Sequence, residues 1–250
     1  MDKNTGDLSN TYVKDYYNSS ISQLDGGYCE ERWFSSEAAK LDYKQTEYVI
    51  QDYLKKKQFN SALEIGPGDG VWTRYFLSHI KTLDLVEQSE EMLKRAQKRI
   101  GEANNIKFNN TDFLEYQSAK EYDVLFAIRC FEYFNDKDKF LKKVYSLLKN
   151  NGEAAIVTKN SKYVSLRGRT KKLLHSGQLS KREMVDLIKK NNFEVLAVHP
   201  ATFRWSAKNS FFRFFFSTLH RLVVSIENKF KISLPNSWMS ESFIYIFRKK

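Results

Sequence analysis

Four acids and three closely spaced glycines carry the most chemistry in this chain. Glu64 lies near the end of a short apolar run, Ser61–Ile65, which leads directly into Gly66, Pro67, Gly68, Asp69 and Gly70. Glycine has no Cβ, so the main chain can take positive φ there and let a flat ligand lie against it. Glu87 closes the next apolar run, Thr82–Val86, and Asp112 follows a third, Ile106–Phe108. A dinucleotide-binding turn spaces its glycines Gly-x-Gly-x-x-Gly and aims a helix N-terminus at a pyrophosphate. Here the spacing is Gly-x-Gly-x-Gly, with carboxylates in and beside the loop. They repel a pyrophosphate and attract a ligand carrying an amine or another positive charge.

These residues need a scaffold that brings successive strand ends together. Glu30 to Leu54 reads as helical, with Trp33, Phe34, Tyr43, Val49, Ile50, Tyr53 and Leu54 as its apolar residues. After the glycine loop, Val71 to Ile80 is expected to form the first core helix, and Ser89 to Ile100 the second. Tyr122–Ile128 is a continuous apolar run suited to a central parallel strand. Asp136 to Lys149 is an amphipathic helix that Asn150, Asn151 and Gly152 are expected to end. Glu153–Thr158 is the fifth strand. Ser180 and Glu183 form a capping box ahead of a helix to about Asn191, and Phe193–Val198 and Ser242–Phe247 are the last strands. Strands alternating with helices imply an α/β, doubly wound parallel sheet with helices on both faces. Residues 1–58 form an N-terminal helical lid segment, 59–201 the ligand-binding core, and 202–250 a helical cap insertion with the final core strand. The whole makes a single domain.

A cationic ligand held against a glycine loop points away from NAD and towards S-adenosylmethionine, with its sulfonium and α-amino groups. The stretch Glu64–Gly70 resembles the first motif of the class I S-adenosylmethionine-dependent methyltransferases, and the likeness extends over residues 60–200. The resemblance implies a Rossmann-like sheet of seven strands, the last antiparallel, and a cofactor site built from Glu64, Gly66, Gly68, Asp69 and Gly70. It gives Glu87 the ribose hydroxyls and Asp112 the adenine amino group. Gln88 borders the adenine, and Phe113 contacts the ring through its backbone. Arg129 ends a buried strand, where a charge needs a reason. It either pairs with Glu64 or Asp69 or lines the site through its backbone. The turn from Cys130 to Tyr133 resembles the fourth motif of small-molecule and lipid methyltransferases. It lacks the Asn/Asp-Pro-Pro-aromatic and Pro-Cys sequences of two nucleic-acid-modifying classes.

Methyl transfer asks the protein to align donor and acceptor and, for a weak acid, to remove a proton. His175, after the fifth strand, is the expected base, with Glu132 and Tyr133 as alternatives. His79 and His220 fit helix surfaces, and His199 ends a strand near the sheet edge. No metal site is expected, since Cys29 and Cys130 make neither a ligand cluster nor a disulfide framework, and a reducing, cytoplasmic setting fits. Nothing after the Met reads as a signal peptide, and no apolar run is long enough to span a bilayer.

The charge is unevenly placed. Residues 1–158 hold 22 Lys+Arg against 25 Asp+Glu, and residues 159–250 hold 19 against 5, a balance of +14. Lys159, Lys162, Arg167, Arg169, Lys171 and Lys172 follow the fifth strand. Phe211, Phe212, Phe215, Phe216, Leu219, Leu222, Val223 and Ile226 recur at helical spacing in the cap. Such a segment selects an anionic acceptor: a metabolite, a sugar nucleotide or a lipid-linked glycan precursor. Residues 211–230 are also suited to peripheral membrane contact or to a homodimer interface. An RNA methyltransferase, or a cofactor-binding partner subunit without activity, would account for the same features. Tyr16, Tyr17 and Trp33 are candidates for a lid.

Overall fold

Residues alternate apolar on both faces of seven strands, and a sheet buried on both sides follows. The computed structural model describes residues 14–15, 17–19, 27–101, 103–163, 177–203, 210–232, 234 and 240–250. The strands are β1 (Phe59–Ile65), β2 (Ile80–Glu87), β3 (Ile106–Asn110), β4 (Tyr122–Ile128), β5 (Leu148–Lys159), β6 (Phe193–Phe203) and β7 (Ser240–Lys249). They lie in the order β3-β2-β1-β4-β5-β7-β6. β1 to β5 are mutually parallel, and β7 runs antiparallel between β5 and β6. Ala62, Leu83, Leu85, Val124, Phe126 and Val157 face one core layer, completed by α1 (Glu37–Leu54) and Phe76. Leu63, Ile65, Leu125, Ala127 and Ile156 face the other. The helices α3 (Lys137–Leu147) and α4 (Lys181–Lys190) cover that layer with Phe140, Leu141, Val144, Met184 and Ile188.

Side-chain caps start these helices where the sequence puts Ser or Asp. Ser36, Ser89 and Asp136 accept from the backbone N–H groups of Ala39, Met92 and Lys139 to open α1, α2 (Glu90–Ile100) and α3. Ser180 and Glu183 form the expected capping box. The segment Glu30–Leu54 is not one helix, because Ser36 in extended conformation separates a π-turn, Glu30–Phe34, from α1.

Two further expectations are corrected. Val71–Ile80 forms two short 3₁₀ turns, Thr73–Tyr75 and Leu77–His79, in place of a core helix. The segment is rich in aromatic and β-branched residues, and Trp72 stacks on Tyr43 of α1 with ring centroids 4.9 Å apart. A 3₁₀ path gains more length per residue, which suits a short crossover into β2. At the end of α3, the helix stops at Leu147, and Asn150, Asn151 and Gly152 belong to the irregular start of β5. Leu148 is fully buried, so the chain enters the sheet instead of adding another helical turn.

The helix α5 (Ser210–Phe230) sets Phe216, His220, Val224 and Glu227 as its buried residues, against β6 and α1. His220 is therefore buried and not on the surface. Its Nε2–H donates to the Pro200 carbonyl at 2.8 Å, which leaves Nδ1 as a buried nitrogen without a partner. Burial holds its pKa down to about 4. Unfolded, the imidazole titrates at about 6.5 and takes up its proton first as the pH falls. Stability from this group is full above about pH 6.5 and is lost towards pH 4, about 3 kcal/mol in all. His220→Gln keeps a donor for Pro200 and is expected to flatten this acid slope, read from denaturant midpoints at pH 7.5 and pH 5. An unchanged slope would contradict the assignment.

Candidate active site

All strands of the parallel set end on one edge of the sheet, and the acids of the sequence pattern arrive there one after another. Glu64, near the end of β1, is buried, and its Oε2 accepts from Thr73 Oγ1 at 2.6 Å. Burial pushes its carboxyl up to about 8; the Thr73 hydrogen bond pulls it down and the nearby Glu87 charge adds to the rise. Gly66 and Gly68 take φ of 62° and 58°. A Cβ on Gly66 would lie 2.7 Å from Cys130 Cβ, whereas nothing lies within 4 Å of the equivalent point at Gly68. The main chain at Gly68 therefore borders open space. Its N–H donates to Glu87 Oε2 at 3.1 Å, and the Ser89 N–H donates to Glu87 Oε1 at 3.0 Å. Backbone donors on both oxygens thus fix the Glu87 carboxylate beside the open side of Gly68. Burial raises this carboxyl, against the pull of those N–H groups.

Asp69 is held by a residue of α2 and not by Arg129. Arg99 of α2 donates from Nη2 to its Oδ2 at 2.8 Å and from Nε to its carbonyl at 2.9 Å. Its Oδ1 is buried with no hydrogen-bond partner. Burial raises the Asp69 carboxyl and Arg99 opposes the rise. Gly70 completes the loop at φ 79°. Gln88 is half-buried, and its carbonyl accepts from Asn110 Nδ2 at 3.2 Å. Asp112 Oδ1 accepts from the Leu114 N–H at 2.8 Å, closing its own turn after β3. The Phe113 ring is buried beside Phe134 and Phe140, so only its main chain is available to a ligand.

Arg129 follows β4 with a left-handed φ of 63° and a side chain only 8% exposed. Its Nε lies 3.7 Å from Glu132 Oε1, and it is not paired with Glu64 or Asp69. The left-handed residue starts a tight turn, Phe131–Tyr133, that brings positions 129 and 132 together. Glu132 is buried and also accepts from Thr158 Oγ1 at 3.0 Å. Lys159, at the end of β5, has its pKa lowered by burial and by the positive charge of Arg129. Tyr133 OH accepts from Tyr17 OH at 2.8 Å, and burial raises the pKa of both hydroxyls. Ser89 Oγ donates to Asn18 Oδ1 at 2.6 Å. Residues 17–18 therefore link the turn after β4 to the start of α2, across the edge where the acids converge.

Of the sequence candidates, Glu64, Gly66, Gly68, Asp69, Gly70 and Glu87 come together around the loop. Glu132, Tyr133 and Arg129 share the neighbouring turn, and His175 lies outside the described residues. Trp33 is buried against Trp72 at 5.1 Å, within the core. Thr73, Arg99 and Thr158 hold Glu64, Asp69 and Glu132, and Asn18 holds the N-terminal crossing; none carries a signal in sequence, because each pairing is made by the fold and not by a local motif. Among the described residues, no group of three His, Cys, Asp or Glu is placed to hold a metal ion.

A parallel sheet with a glycine turn after its first strand and carboxylates at the next strand ends defines a Rossmann-like cradle for a nucleoside cofactor. The bare main chain at Gly68 and the unpartnered Asp69 oxygen fit a flat ligand with a cationic end. A methyltransferase-domain family model matches residues 63–154. The chain is 30% identical over 178 residues to malonyl-[acyl-carrier protein] O-methyltransferase 1 of Ilyobacter polytropus, covering 66% of each chain. It is 41% identical over 87 residues to a probable ribosomal RNA small subunit methyltransferase A of Methanopyrus kandleri, covering 35% of this chain and 31% of that protein. The chain thus spans just under two thirds of the first of these relatives and about a third of the second. Its fold is similar to that of N-methyltransferase NodS from Bradyrhizobium japonicum in complex with S-adenosyl-L-homocysteine. That likeness has a TM-score of 0.60 at 13% identity, covering 94% of this chain and 99% of that one. It is also similar to DhpI in complex with SAH, with a TM-score of 0.61 at 14% identity, covering 94% and 93%. The chain carries a class I S-adenosylmethionine-dependent methyltransferase domain, and its cofactor is S-adenosylmethionine.

Proposed function

We propose that the protein transfers a methyl group to a carboxylate oxygen of a small anionic acceptor. The supporting observation is the state of the acids and hydroxyls beside the cofactor edge. Glu132 is held by Thr158 and Arg129, and the hydroxyls of Tyr17 and Tyr133 are kept protonated by burial. The hydroxyls donate hydrogen bonds, and the Glu132 oxygens are already engaged by Thr158 and Arg129. A carboxylate is already ionised at neutral pH and asks for no base, while Arg129 and Lys159, each paired with a glutamate, stand at the ends of β4 and β5. The name of the malonyl-[acyl-carrier protein] relative fits the same chemistry.

Bound S-adenosylmethionine would supply a methyl group activated by its cationic sulfur. The protein's residues position that transfer. Gly66 and Gly68 offer bare main chain, Glu87 takes the ribose diol, and Glu64 and Asp69 set negative charge near the methionine end. Asp112 and Gln88 border the adenine, and Phe113 contacts it through its main chain. The N-terminal segment serves as a lid through Tyr17 and Asn18. Tyr17→Phe combined with Asn18→Ala is expected to speed S-adenosylmethionine release several-fold in stopped-flow, and an unchanged release rate would contradict the lid.

Methyl-labelled cofactor offered to acyl-carrier, small-metabolite, lipid-linked and RNA fractions tests the acceptor. The expected product releases its label as volatile methanol in mild alkali, as a methyl ester does. Alkali-stable label on a small acceptor would overturn the carboxylate assignment. A second reading, RNA methylation, is favoured by the M. kandleri relative and the basic C-terminal third, and alkali-stable label on RNA would select it.

A further inference from the structure

α5 has a buried side and, opposite it, an exposed apolar stripe. Phe216, His220, Val224 and Glu227 recur at helical spacing and are buried against β6 and α1. Phe211, Phe215 and Leu222, spaced i, i+4 and i+11, form a second stripe on the far side, where they are 69%, 49% and 54% exposed. Phe212 and Phe214 flank it, the latter 72% exposed. Four large apolar side chains at one end of one helix, with Leu222 about two turns further on, form the kind of open patch that marks a contact site.

The direction of α5 places this patch. His220 lies beside Pro200 and Phe203, and Glu227 reaches back to His199 at 2.9 Å. The helix therefore runs away from the C-terminal end of β6, the edge on which the cofactor acids sit. Phe211–Phe215, one to two and a half turns before His220, extend about 7 to 14 Å towards or past that edge. The surrounding sequence says what covers the patch. From Val195 to Ile226 there is no Asp or Glu, and Arg204, Lys208, Arg213 and Arg221 fall within the stretch. No helix among the described residues is long and apolar enough to cross a membrane.

We infer that the N-terminal half of α5 seats the protein on an anionic phospholipid bilayer, with the phenylalanines in the headgroup boundary and the acid-free, basic sequence around them favouring anionic over neutral lipid. The seat is next to the acceptor edge, and so an acceptor carried by lipid would be presented to the cofactor site without leaving the surface. The docking itself does not depend on which acceptor is methylated. Flotation of the full chain with vesicles of phosphatidylcholine alone, or with 30–40% phosphatidylglycerol, tests it. Binding is expected only to the anionic vesicles, to fall at least tenfold in 0.5 M salt, and to be lost in Phe211→Ser/Phe214→Ser/Phe215→Ser. The substituted side chains are exposed, so the variant is expected to keep S-adenosylmethionine binding, which serves as its folding control. Absence of wild-type binding to anionic vesicles, or equal binding by the variant, would overturn the inference. A wild-type dimer that does not float, and that the triple variant converts to monomer, would assign the patch to a second copy of this chain.

Discussion

Glu64→Gln is expected to weaken S-adenosylmethionine binding by about 10- to 100-fold and to abolish the proton release that accompanies it. The magnitude is that of one hydrogen bond to a charged group, about 1.5–3 kcal/mol. The proton follows from the site. Burial holds the Glu64 carboxyl at about 8 without ligand, so it is mostly protonated at pH 7. A cation placed beside it favours the carboxylate and expels the proton. Calorimetry at pH 7 in buffers of different ionisation heats is expected to count nearly one proton released by the wild type and none by Glu64→Gln. The glutamine still accepts from Thr73, so the buried contact survives.

The same substitution has a stability signature of opposite sense. The folded pKa of Glu64 is above its unfolded value, so its stabilising effect is complete below about pH 4.5 and is lost as the pH rises through about 8. The ligand-free wild type loses up to a few kcal/mol over that interval, and Glu64→Gln does not. A variant that binds the cofactor less well yet resists denaturant better at pH 8 is the expected combination. Equal proton release by both proteins would remove Glu64 from the cation-binding role.

Gly66→Ala and Gly68→Ala are expected to fail for different reasons. At Gly66 the new methyl meets Cys130 Cβ at 2.7 Å, an atom no rotamer can move, and the left-handed φ adds strain. Overpacking and αL strain together predict about 2–4 kcal/mol of lost stability and a loop displaced from the cofactor. At Gly68 the methyl meets nothing within 4 Å. The cost is the backbone term alone, roughly 1–2 kcal/mol, but the methyl occupies the space the cofactor needs. Gly68→Ala is thus expected to fold nearly as well as wild type while losing at least 100-fold in S-adenosylmethionine affinity, read by thermal melts beside calorimetry. Affinity within threefold of wild type would mean that the cradle is not at this main chain.

The sheet, and the meeting of Glu64, Glu87 and the glycine turn at one of its edges, were legible because each rests on a local pattern. The apolar runs ending in Glu64, Glu87 and Asp112 specify parallel strands whose C-terminal ends meet at one edge. The Gly66–Gly70 spacing specifies the turn. Failures came where long-range packing overrode local preference. Val71–Ile80 has the apolar content of a helix, but Trp72 stacking on Tyr43 and the short path into β2 draw it into 3₁₀ turns. Leu148 belongs to the sheet because its burial outweighs one more turn of α3. Of the two roles expected of Arg129, pairing with Glu64 or Asp69 does not occur, because a left-handed turn gives it Glu132 and Arg99 from α2 takes Asp69; the place of its backbone at the strand end is the alternative that stays. Periodicity correctly placed His220 on a helix but could not reveal that its face packs against β6. The acceptor stayed open for a related reason. A strand-end motif encodes the donor, whereas the acceptor surface depends on α5 and on residues brought from distant parts of the chain.

The most direct measurement is titration calorimetry of S-adenosylmethionine into the purified full-length protein, alongside Gly68→Ala as a folded control. The expected result is saturable one-to-one binding by the wild type, with release of nearly one proton at pH 7, and no detectable binding by Gly68→Ala. A folded wild-type protein that gives no heat with S-adenosylmethionine, and no rise in melting temperature in its presence, would contradict the cofactor site at Glu64–Gly70.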